Sequence, residues 1–399
     1  MAIKQMQKIV LLSMLLLTTC FQGLADSFEI GDLEFKILSY SERTVEVGQK
    51  RYFDYDLEIP SKVVYNSKTY NVVRIANRGF QYNWFKSVII PEGINVIGEE
   101  AFSGCHNLTK VVMPNSVTLI LKQAFSGCRI NNVHIPDNIM QIGVRAFDSL
   151  LMTKIDIPSS CNYIAQDAFS SFSLLEINVD ESNPTYASVD GVLYIKEWSL
   201  DGDRLILYFC PMGRNKTVKI PNTAYSIARY AFEDCTNIPS IIFPPSLEYI
   251  GYIQYTSARY GCSYTLGTFG NCKKLTEINI PKSVRYIDEH AFAWCENIKN
   301  IYVNWETPLS CPNLGWSDNV IINGTLYVPT GTIELYKKSN SWMDFWKIEE
   351  FDQSGIENIY TDSSLNTVPS KLYDLMGKMI KTPTKGRIII SNGKKVLVQ

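Results

Sequence analysis

Residues 278–296 read INIPKSVRYIDEHAFAWCE, and residues 88–106 (VIIPEGINVIGEEAFSGCH) and 218–236 (VKIPNTAYSIARYAFEDCT) repeat the same pattern. The proline of this pattern recurs seven times, and the first four copies are spaced by 23, 22 and 22 residues: Pro91, Pro114, Pro136, Pro158, Pro221, Pro244 and Pro281. A fixed period in the low twenties, with apolar residues at fixed offsets, is the sequence signature of a solenoid.

Three offsets from the proline carry the structural prediction. The residue three positions before it is β-branched, the residue six positions after it is isoleucine, and Ala-Phe follows ten and eleven positions after it in six of the seven copies. Val-x-Ile-Pro alternates with the period of a strand, which predicts a short strand with its β-branched residues facing inward. Proline ends the strand because it cannot donate to the next ladder bond. Ala-Phe predicts a tight turn or short helical return with phenylalanine in the interior.

One coil of this size cannot offset the entropy of ordering its own backbone, so the coils must stack. Strands of neighbouring coils then pair at a spacing of about 4.8 Å. We therefore predict that each Phe and each Ile rests on its counterpart in the next coil. Phe102, Phe125 and Phe147 should all lie in the interior.

These residues resemble the leucine-rich repeats of the BspA-like family of bacterial surface proteins, whose unit runs L-x-x-I-x-I-P-x-x-V-x-x-I-G-x-x-A-F-x-x-C-x-x-L. The resemblance spans about residues 57–330. It implies a β-rich leucine-rich repeat solenoid, curved and right-handed, with short parallel strands joined by turns or short helical returns. For function, the resemblance implies adhesion at the cell surface without naming a ligand.

The two ends of the repeat region predict caps, because solenoids need polar-faced ends. We expect an N-terminal cap over residues 26–56 and a C-terminal cap over residues 331–352. A last strand is predicted at residues 326–329. The segment IELYKKSNSWMDFWK that follows should then bring three aromatic side chains onto the last coil: Trp342, Phe345 and Trp346.

Residues 353–399 are expected to form a linker and a small C-terminal β tail. The tail resembles the C-terminal tails of secreted Bacteroidetes proteins, including type IX sorting tails. Arg387 and Ile388 depart from that pattern, since a hydrophobic residue and a tyrosine are usual there.

Two insertions interrupt the period. In the first, at about residues 180–215, segments 191–195 and 204–209 flank a turn at 200–203 and predict a β-hairpin with a structural role. The second, at about residues 251–267, combines tyrosine with Ser, Thr and Gly, a composition typical of binding loops. The alternative is a loop folded over the solenoid edge with half-buried tyrosines. Its candidate contact residues are Tyr252, Tyr255, Arg259, Tyr260 and Tyr264.

Residues 1–25 have the features of an export signal peptide. Lys4 and Lys8 supply the charged start, residues 9–17 the apolar stretch, and residues 23–25 the small-x-small cleavage pattern. The apolar run is shorter than a transmembrane helix. We expect cleavage near Ala25, with lipidation at Cys20 as the alternative. Either route predicts an exported protein, associated with the cell surface or outer membrane or released outside the cell.

Cysteine recurs three residues after the phenylalanine, at a position that elsewhere holds Leu150 or Phe172. A position that accepts Cys, Leu and Phe is a buried apolar slot, so we expect free, packed thiols there. Disulfide bonding is the alternative, because export permits it and stacked cysteines such as Cys105 and Cys128 would lie within bridging range. The spacing of the cysteines does not predict a zinc site.

The charge balance excludes some partners. With 38 Lys+Arg against 40 Asp+Glu in 399 residues, the net charge is −2, which offers no positive footprint for nucleic acid. The sequence contains no nucleophile elbow, phosphate loop, HExxH or calcium loop. The carboxylate pairs 99–100 and 288–289 fall where the chain turns outward and predict a solvated edge. We therefore expect no enzymatic activity, no cofactor and no metal.

The outward strand position, two residues before the proline, varies without breaking the repeat. At about 4.8 Å per strand, these residues predict a face on the order of 40 Å long that suits a protein or glycan ligand. Its candidate contact residues are Ile89, Val112, His134, Asp156, Lys219, Ile242 and Asn279. We expect an adhesin-like binding scaffold, with a structural or accessory envelope protein lacking a host ligand as the alternative.

Overall fold

The computed structural model describes residues 26–52, 56–199, 202–252 and 267–352, together with four strand segments nearer the C-terminus. Its chain divides into two compact units, one ending at Arg214 and the other beginning at Asn215. The export signal, residue Cys20 and most of the linker and tail predicted above lie outside the described residues. So do Tyr255, Arg259, Tyr260 and Tyr264.

The strands of the first unit are short and follow one another at the spacing of the repeat. In chain order they are β1 (Ser27–Ile30), β2 (Leu33–Ser39), β3 (Thr44–Gln49), β4 (Leu57–Glu58), β5 (Lys62–Tyr65), β6 (Lys68–Ile75), β7 (Ser87–Ile89), β8 (Val96–Ile97), β9 (Lys110–Val112), β10 (Leu119–Ile120), β11 (Gln141–Ile142), β12 (Lys154–Ile157), β13 (Tyr163–Ile164), β14 (Glu176–Val179), β15 (Tyr186–Val189), β16 (Val192–Ser199) and β17 (Gly202–Phe209).

The second unit contains strands of the same kind and two short helices. Its elements are β18 (Val218–Lys219), β19 (Ala224–Ile227), β20 (Ile241–Ile242), β21 (Tyr249–Ile250), β22 (Glu277–Ile280), β23 (Tyr286–Ile287), β24 (Asn300–Val303), a helix (Asp318–Asn323), β25 (Thr325–Pro329), a helix (Ile333–Tyr336), β26 (Ile348–Phe351), and the tail strands β27 (Leu372–Tyr373), β28 (Met379–Ile380), β29 (Ile388–Ser391) and β30 (Lys394–Leu397).

Each regular coil contributes two strands to two parallel sheets. A first sheet forms from strands that precede the proline, such as β4, β7 and β9, and Val88 pairs with Val111 in it. A second sheet forms from strands six residues beyond the proline, where Ile97, Ile120 and Ile142 are direct neighbours. Equivalent residues of successive coils pair with no offset. One copy of the sequence repeat therefore forms one coil of the structure. Both units are β-solenoid, as the repeat predicted.

The phenylalanines of successive coils form a continuous stack inside the first unit. Rings of Phe80, Phe102, Phe125, Phe147 and Phe169 follow one another with centroids 5.2–5.9 Å apart and planes within 12° of parallel. The backbone repeats the same step, since the N–H of each of the first four phenylalanines donates to the alanine carbonyl of the next coil at 2.8–2.9 Å. The predicted stacking of identical positions is confirmed.

Cysteine thiols form a parallel ladder beside these rings. Cys105, Cys128, Cys272 and Cys295 are free and buried. The Cys128 thiol donates to the Phe102 carbonyl at 3.2 Å, and the Cys295 thiol to the Phe269 carbonyl at 3.0 Å. Each thiol therefore satisfies a carbonyl of the neighbouring coil. The predicted free packing thiols are confirmed for these cysteines, and no Cys105–Cys128 disulfide forms. Leu150 fills the equivalent position and is buried, but Phe172 is 65 % exposed, so the predicted apolar slot does not form in that coil.

A meander of β1, β2 and β3 precedes the coils of the first unit. Phe35, Val45 and Val47 from this meander are buried. Its last strand, β3, pairs parallel with β6, and Val47 is opposite Ile75. The second sheet therefore continues from the meander into the first coils, so the backbone N–H and C=O groups on that edge of β6 are paired.

The insertion at the end of the first unit is a three-stranded meander. β16 and β17 form the antiparallel hairpin that the sequence predicted, and β15 adds a strand that was not predicted because its sequence, YASV, is too short and polar to show alternation. Two buried tyrosine hydroxyls from this meander form hydrogen bonds with the backbone of β13. The Ile164 N–H donates to the Tyr186 hydroxyl, and the Tyr208 hydroxyl donates to the Ile164 carbonyl, both at 2.9 Å.

The end of the second unit corrects two predictions. β25 is not the last strand, since β26 pairs parallel with it. Trp342 and Phe345 are buried as expected, whereas Trp346 is 75 % exposed. The backbone N–H of Trp346 donates to the Ile321 carbonyl at 3.1 Å just before β26 begins. This bond fixes the backbone and leaves the indole in solvent.

Candidate binding surfaces

The first candidate surface consists of the outward residues of the first sheets. In the first unit, Ile89 and Val112 pair directly and are 49 % and 44 % exposed. His134 and Asp156 are also exposed, and Asp156 accepts a hydrogen bond from the Asn178 amide at 2.9 Å. This unit therefore presents two apolar side chains followed by polar ones.

Lys219, Ile242 and Asn279 belong to the second unit. Lys219 pairs with Ile242, while Asn279 lies in the sheet of β22, β24, β25 and β26. Tyr302 is directly opposite Asn279, and Tyr327 is opposite Tyr302. The two phenol rings stack with centroids 4.6 Å apart. Tyr302 is buried and Tyr327 is half-buried. The strand of Tyr327 was predicted, whereas the strand of Tyr302 was missed because it lacks the Ile-Pro that marks the repeat.

The second candidate surface is a cluster of four tyrosines on the second sheet of the second unit, here called the tyrosine patch: Tyr225, Tyr249, Tyr252 and Tyr286. The strands β21 and β23 pair in register, so that Tyr249 and Tyr286 are direct neighbours. On β19 the residue paired with Tyr249 is the buried Ser226, and Tyr225 precedes it. Tyr252 and Tyr286 are 60 % and 38 % exposed. The patch is thus built on hydrogen-bonded backbone.

The rings of the tyrosine patch contact one another in sequence. Tyr225 and Tyr249 meet edge to face at 6.2 Å, Tyr249 and Tyr252 at 4.7 Å, and Tyr252 and Tyr286 edge to face at 5.5 Å. Edge-to-face contacts align the positive edge of one ring with the negative face of the next. The side chains therefore support one another, which reduces the entropy that a ligand contact would remove.

A buried carboxylate lies beside the patch, and it corrects the prediction of a solvated edge. Asp288 is 1 % exposed, whereas its neighbour Glu289 is exposed. The Thr268 hydroxyl donates to Asp288 at 2.9 Å, and the Arg229 guanidinium lies 3.5 Å away. Burial raises the pKa of Asp288 to about 6, against the opposing effects of the Thr268 hydrogen bond and the Arg229 charge.

Gly251 explains why this carboxylate can be buried. Its φ is +79°, in the left-handed region that favours glycine, and a side chain there would collide with the Asp288 carboxyl group. The repeat places a glycine after the second-strand isoleucine in several coils, but here it makes room for an acid. The sequence alone could not reveal this, since the contact joins residues from different coils.

The tyrosine patch contains one residue that sequence analysis proposed, Tyr252, and three that it missed. The missed signal is the outward position of the second strand, four or five residues after the proline, where Tyr225, Tyr249 and Tyr286 occur. The outward row predicted from the sequence belongs to the first strand of each coil. The patch shares no residue with the candidates on the first sheet.

The described residues include neither a metal-binding cluster nor a membrane-spanning helix. Within residues 26–52, 56–199, 202–252 and 267–352, no three His, Cys, Asp or Glu side chains come together in a way that could hold a metal ion. No helix of the described chain is both long enough and apolar enough to span a bilayer.

Stacked coils, parallel two-residue strands and buried Ile and Phe ladders define a leucine-rich repeat protein. The family model for the BspA-type leucine-rich repeat region matches six copies, over residues 73–188 and 208–307, which is more than half of the chain. The chain belongs to this BspA-type leucine-rich repeat family. A comparison with curated proteins finds no match.

The chain is similar to solved structures from several bacteria. The chain is 16 % identical to the pneumococcal vaccine antigen PcpA, with 83 % of this chain and 100 % of that chain covered and a TM-score of 0.51. A leucine-rich cell surface protein of Faecalibacterium prausnitzii is 24 % identical (86 % and 100 % covered, TM-score 0.41). A leucine-rich repeat protein of Bacteroides ovatus is 19 % identical (82 % and 100 % covered, TM-score 0.38).

Proposed function

We propose that this protein is an exported, non-enzymatic binding scaffold of the cell surface, adhesin-like, that holds a protein or glycan ligand. The observation that carries the proposal is the tyrosine patch: four mutually supporting phenols on a hydrogen-bonded sheet, two of them well exposed. Membership in a leucine-rich repeat family supports a binding role, since solenoids present extended surfaces to partners.

The chemistry of the patch favours a macromolecular ligand. Tyrosine supplies a large, rigid contact area, and its hydroxyl still forms hydrogen bonds, so it is enriched among the residues that dominate interface energies. Arg285 and Glu248, whose charged groups lie 3.8 Å apart, belong to the same coils as Tyr286 and Tyr249. An aromatic centre with charged neighbours has the composition of a protein interface, and a protein is therefore the first ligand to test.

The outward residues of the first sheets and the loop tyrosines beyond Tyr252 remain part of the proposal as secondary contacts. They are Ile89, Val112, His134, Asp156, Lys219, Ile242, Asn279, Tyr255, Arg259, Tyr260 and Tyr264. Their support is the sequence pattern. Replacing them in groups, after the patch has been tested, will separate their contributions.

Export is proposed on the sequence of the two ends. The signal segment before Ala25 directs the chain out of the cytoplasm, and the tail resembles sorting tails of secreted proteins. Protease shaving of intact cells should release peptides from the repeats. Intact-mass measurement of the mature chain distinguishes cleavage near Ala25 from a lipid on Cys20, and also reports whether the tail is removed.

The binding proposal is tested by exposing the purified chain to protein and glycan arrays. Replacing Tyr252 and Tyr286 by alanine should weaken the strongest interaction by about tenfold or more, the effect expected of aromatic anchors. Tyr82→Ala is the matched control, because that tyrosine is 56 % exposed but lies in the first unit. Binding that is unaffected by the double replacement contradicts the role of the patch, and binding to no ligand at all favours an accessory envelope protein.

A further inference from the structure

Three basic side chains of the first unit are exposed on successive coils, and none of them belongs to the tyrosine patch. Lys86 precedes β7, Lys110 begins β9, and Arg129 lies between β10 and β11. In the described part of the chain, none of the three has a carboxylate within ion-pair distance. The first unit therefore presents three cations whose charge is not neutralised by the protein.

The carboxylates of the same coils lie at other positions of the repeat. From Trp84 to Val133 the only acidic residues are Glu92, Glu99 and Glu100. Glu92 follows the end of β7, the other two follow the second-sheet strand β8, and Glu100 is itself ion-paired. The net charge of the whole chain, −2, thus conceals a one-sided distribution of charge on these coils.

The backbone holds the three cations on neighbouring coils. The Lys110 N–H donates to the Lys86 carbonyl at 3.3 Å, and the Arg129 N–H donates to a carbonyl of the preceding coil at 3.0 Å. The phenylalanine rings of the same three coils stack 5.2–5.5 Å apart, which gives the step from one coil to the next. Asp56 borders these cations, and its carboxylate accepts the Ser87 N–H at 3.0 Å.

An exposed indole lies two residues before Lys86. Trp84 is 64 % exposed, although its neighbours Asn83 and Phe85 are buried. The Asn83 side chain accepts the Trp84 N–H at 3.1 Å, and the Asn107 amide donates to the Trp84 carbonyl at 3.3 Å. The backbone of Trp84 is therefore fixed while its ring remains in solvent. A rigidly held, exposed tryptophan is well suited to anchor a ligand.

We infer that this basic face, formed by Trp84, Lys86, Lys110 and Arg129, binds a linear anionic polysaccharide. Its anionic groups pair with the ammonium and guanidinium groups, and one sugar ring rests its C–H groups on the negative face of the indole. One cation on each of three coils matches a polymer that repeats its charge along a line. The inference rests on the proposed function only in that the chain must be exported, and it assigns a separate site.

Other polyanions match the basic face less well. An acidic peptide offers carboxylates to the cations but no ring face to the indole. Single-stranded nucleic acids bind where aromatic side chains stack on successive bases. The positions equivalent to Trp84 in the next two coils hold His106 and Arg129, so a second indole is missing there.

The test measures binding of the full exported chain to immobilised polysaccharides by biolayer interferometry. Heparin carries sulfate and carboxylate groups, hyaluronan carries carboxylate alone, and dextran is neutral. The chain should bind heparin, hyaluronan or both, and the comparison identifies the anionic group that is sufficient. Binding should weaken as the ionic strength rises, because salt screens exposed charges. Dextran should not bind.

Two variants test the two halves of the basic face. The triple replacement Lys86→Gln, Lys110→Gln and Arg129→Gln should weaken binding about tenfold or more, the combined effect of three exposed ion pairs. Trp84→Ala should weaken it roughly fivefold. All four side chains are exposed, so the fold should persist, and circular dichroism checks this.

Matched controls come from the second unit. Lys273→Gln, Lys274→Gln and Lys299→Gln change the net charge by the same amount at exposed positions, and Trp294 is a tryptophan that is 53 % exposed. The triple control, Trp294→Ala and the tyrosine-patch variants should all bind the polysaccharide as the unaltered chain does. Loss of array binding in the patch variants alone would therefore concern the proposed function and not the basic face.

Several results would overturn the inference. They are binding to neither heparin nor hyaluronan, equal losses in the two triple variants, and full binding by Trp84→Ala. Polyglutamate and oligo-thymidylate serve as soluble competitors. If either displaces the chain from the polysaccharide at a lower charge concentration than soluble heparin and hyaluronan do, then the face is specific for another class of polyanion.

Discussion

Phe102 and Phe125 occupy the same position of successive coils, and their rings stack with centroids 5.2 Å apart and planes 4° from parallel. Both side chains are fully buried. This relationship is a repeating contact of the solenoid, because the same stacked step recurs from Phe80 to Phe169. It makes the stability of each coil depend on its neighbours.

Replacing Phe125 by alanine should therefore destabilise the protein by about 3–5 kcal/mol, through lost transfer energy and the cavity left between two rings. Urea unfolding followed by circular dichroism measures the change. Phe172→Ala is the control, since Phe172 is 65 % exposed, and it should cost less than about 0.5 kcal/mol. Equal losses in the two variants would show that the ring stack does not carry the stability.

Gly104 and Gly31 form a matched pair for testing a close contact. Both have positive φ, +73° and +62°, but a side chain at Gly104 would collide with the Tyr82 ring, whereas Gly31 faces open space. Gly31→Ala should cost about 1–2 kcal/mol from the left-handed backbone alone. Gly104→Ala should cost more in the same unfolding assay.

A second variant tests why Gly104→Ala should lose more stability than Gly31→Ala. Adding Tyr82→Ala to Gly104→Ala removes the collision, so the double variant should recover the difference between the two glycine replacements. If the double variant is no more stable than Gly104→Ala, then the contact with the ring is not the cause of the excess.

Burial should make the thiols of the solenoid inert. It raises the pKa of Cys105 and Cys161 to about 12 and that of Cys128 well above its ordinary value. Since the thiolate is the reactive form, iodoacetamide at pH 8 should alkylate these residues about a hundredfold or more slowly in the folded protein than in urea. Peptide mass mapping gives the rates. A Cys105–Cys128 disulfide peptide in a non-reduced digest would contradict the free-thiol ladder.

Asp288 should make stability depend on pH. Burial raises its pKa from 3.8 to about 6, so between these values the folded chain binds a proton that the unfolded chain has released. The free energy of unfolding therefore falls as pH rises through this window and levels off above it. Asp288→Asn lacks this titration and should gain up to about 3 kcal/mol relative to the unaltered protein between pH 4 and pH 7.

Urea unfolding at both pH values, on both proteins, provides the comparison. Glu289→Gln is the neighbouring control, because Glu289 is exposed and its replacement should leave the pH dependence unchanged. A constant difference between Asp288→Asn and the unaltered protein at pH 4 and pH 7 would mean that the buried carboxyl group does not set the slope.

Interior positions were predictable because every coil meets another coil like itself. Ile97, Phe102 and Cys105 are buried because each packs against the equivalent residue of a neighbouring coil. The repeat period was therefore enough to predict that all of them lie in the interior. Strands without the proline, such as β24 and β26, were missed or misplaced, since their inward residues lack that marker. Trp346 was predicted to pack on the last coil, but its side chain is exposed. The hydrogen bond from its backbone N–H to the Ile321 carbonyl holds the residue in place without burying the indole.

The sequence by itself determined the solenoid, the two-strand coil and the interior ladder. These features follow from the apolar positions that recur in every copy of the repeat. Only the tertiary structure decided the tyrosine patch and the burial of Asp288. Each of these depends on side chains from several coils or from the turns between them meeting in space. These contacts form between coils at positions where the repeat does not require a particular residue. A periodic sequence pattern therefore cannot predict them.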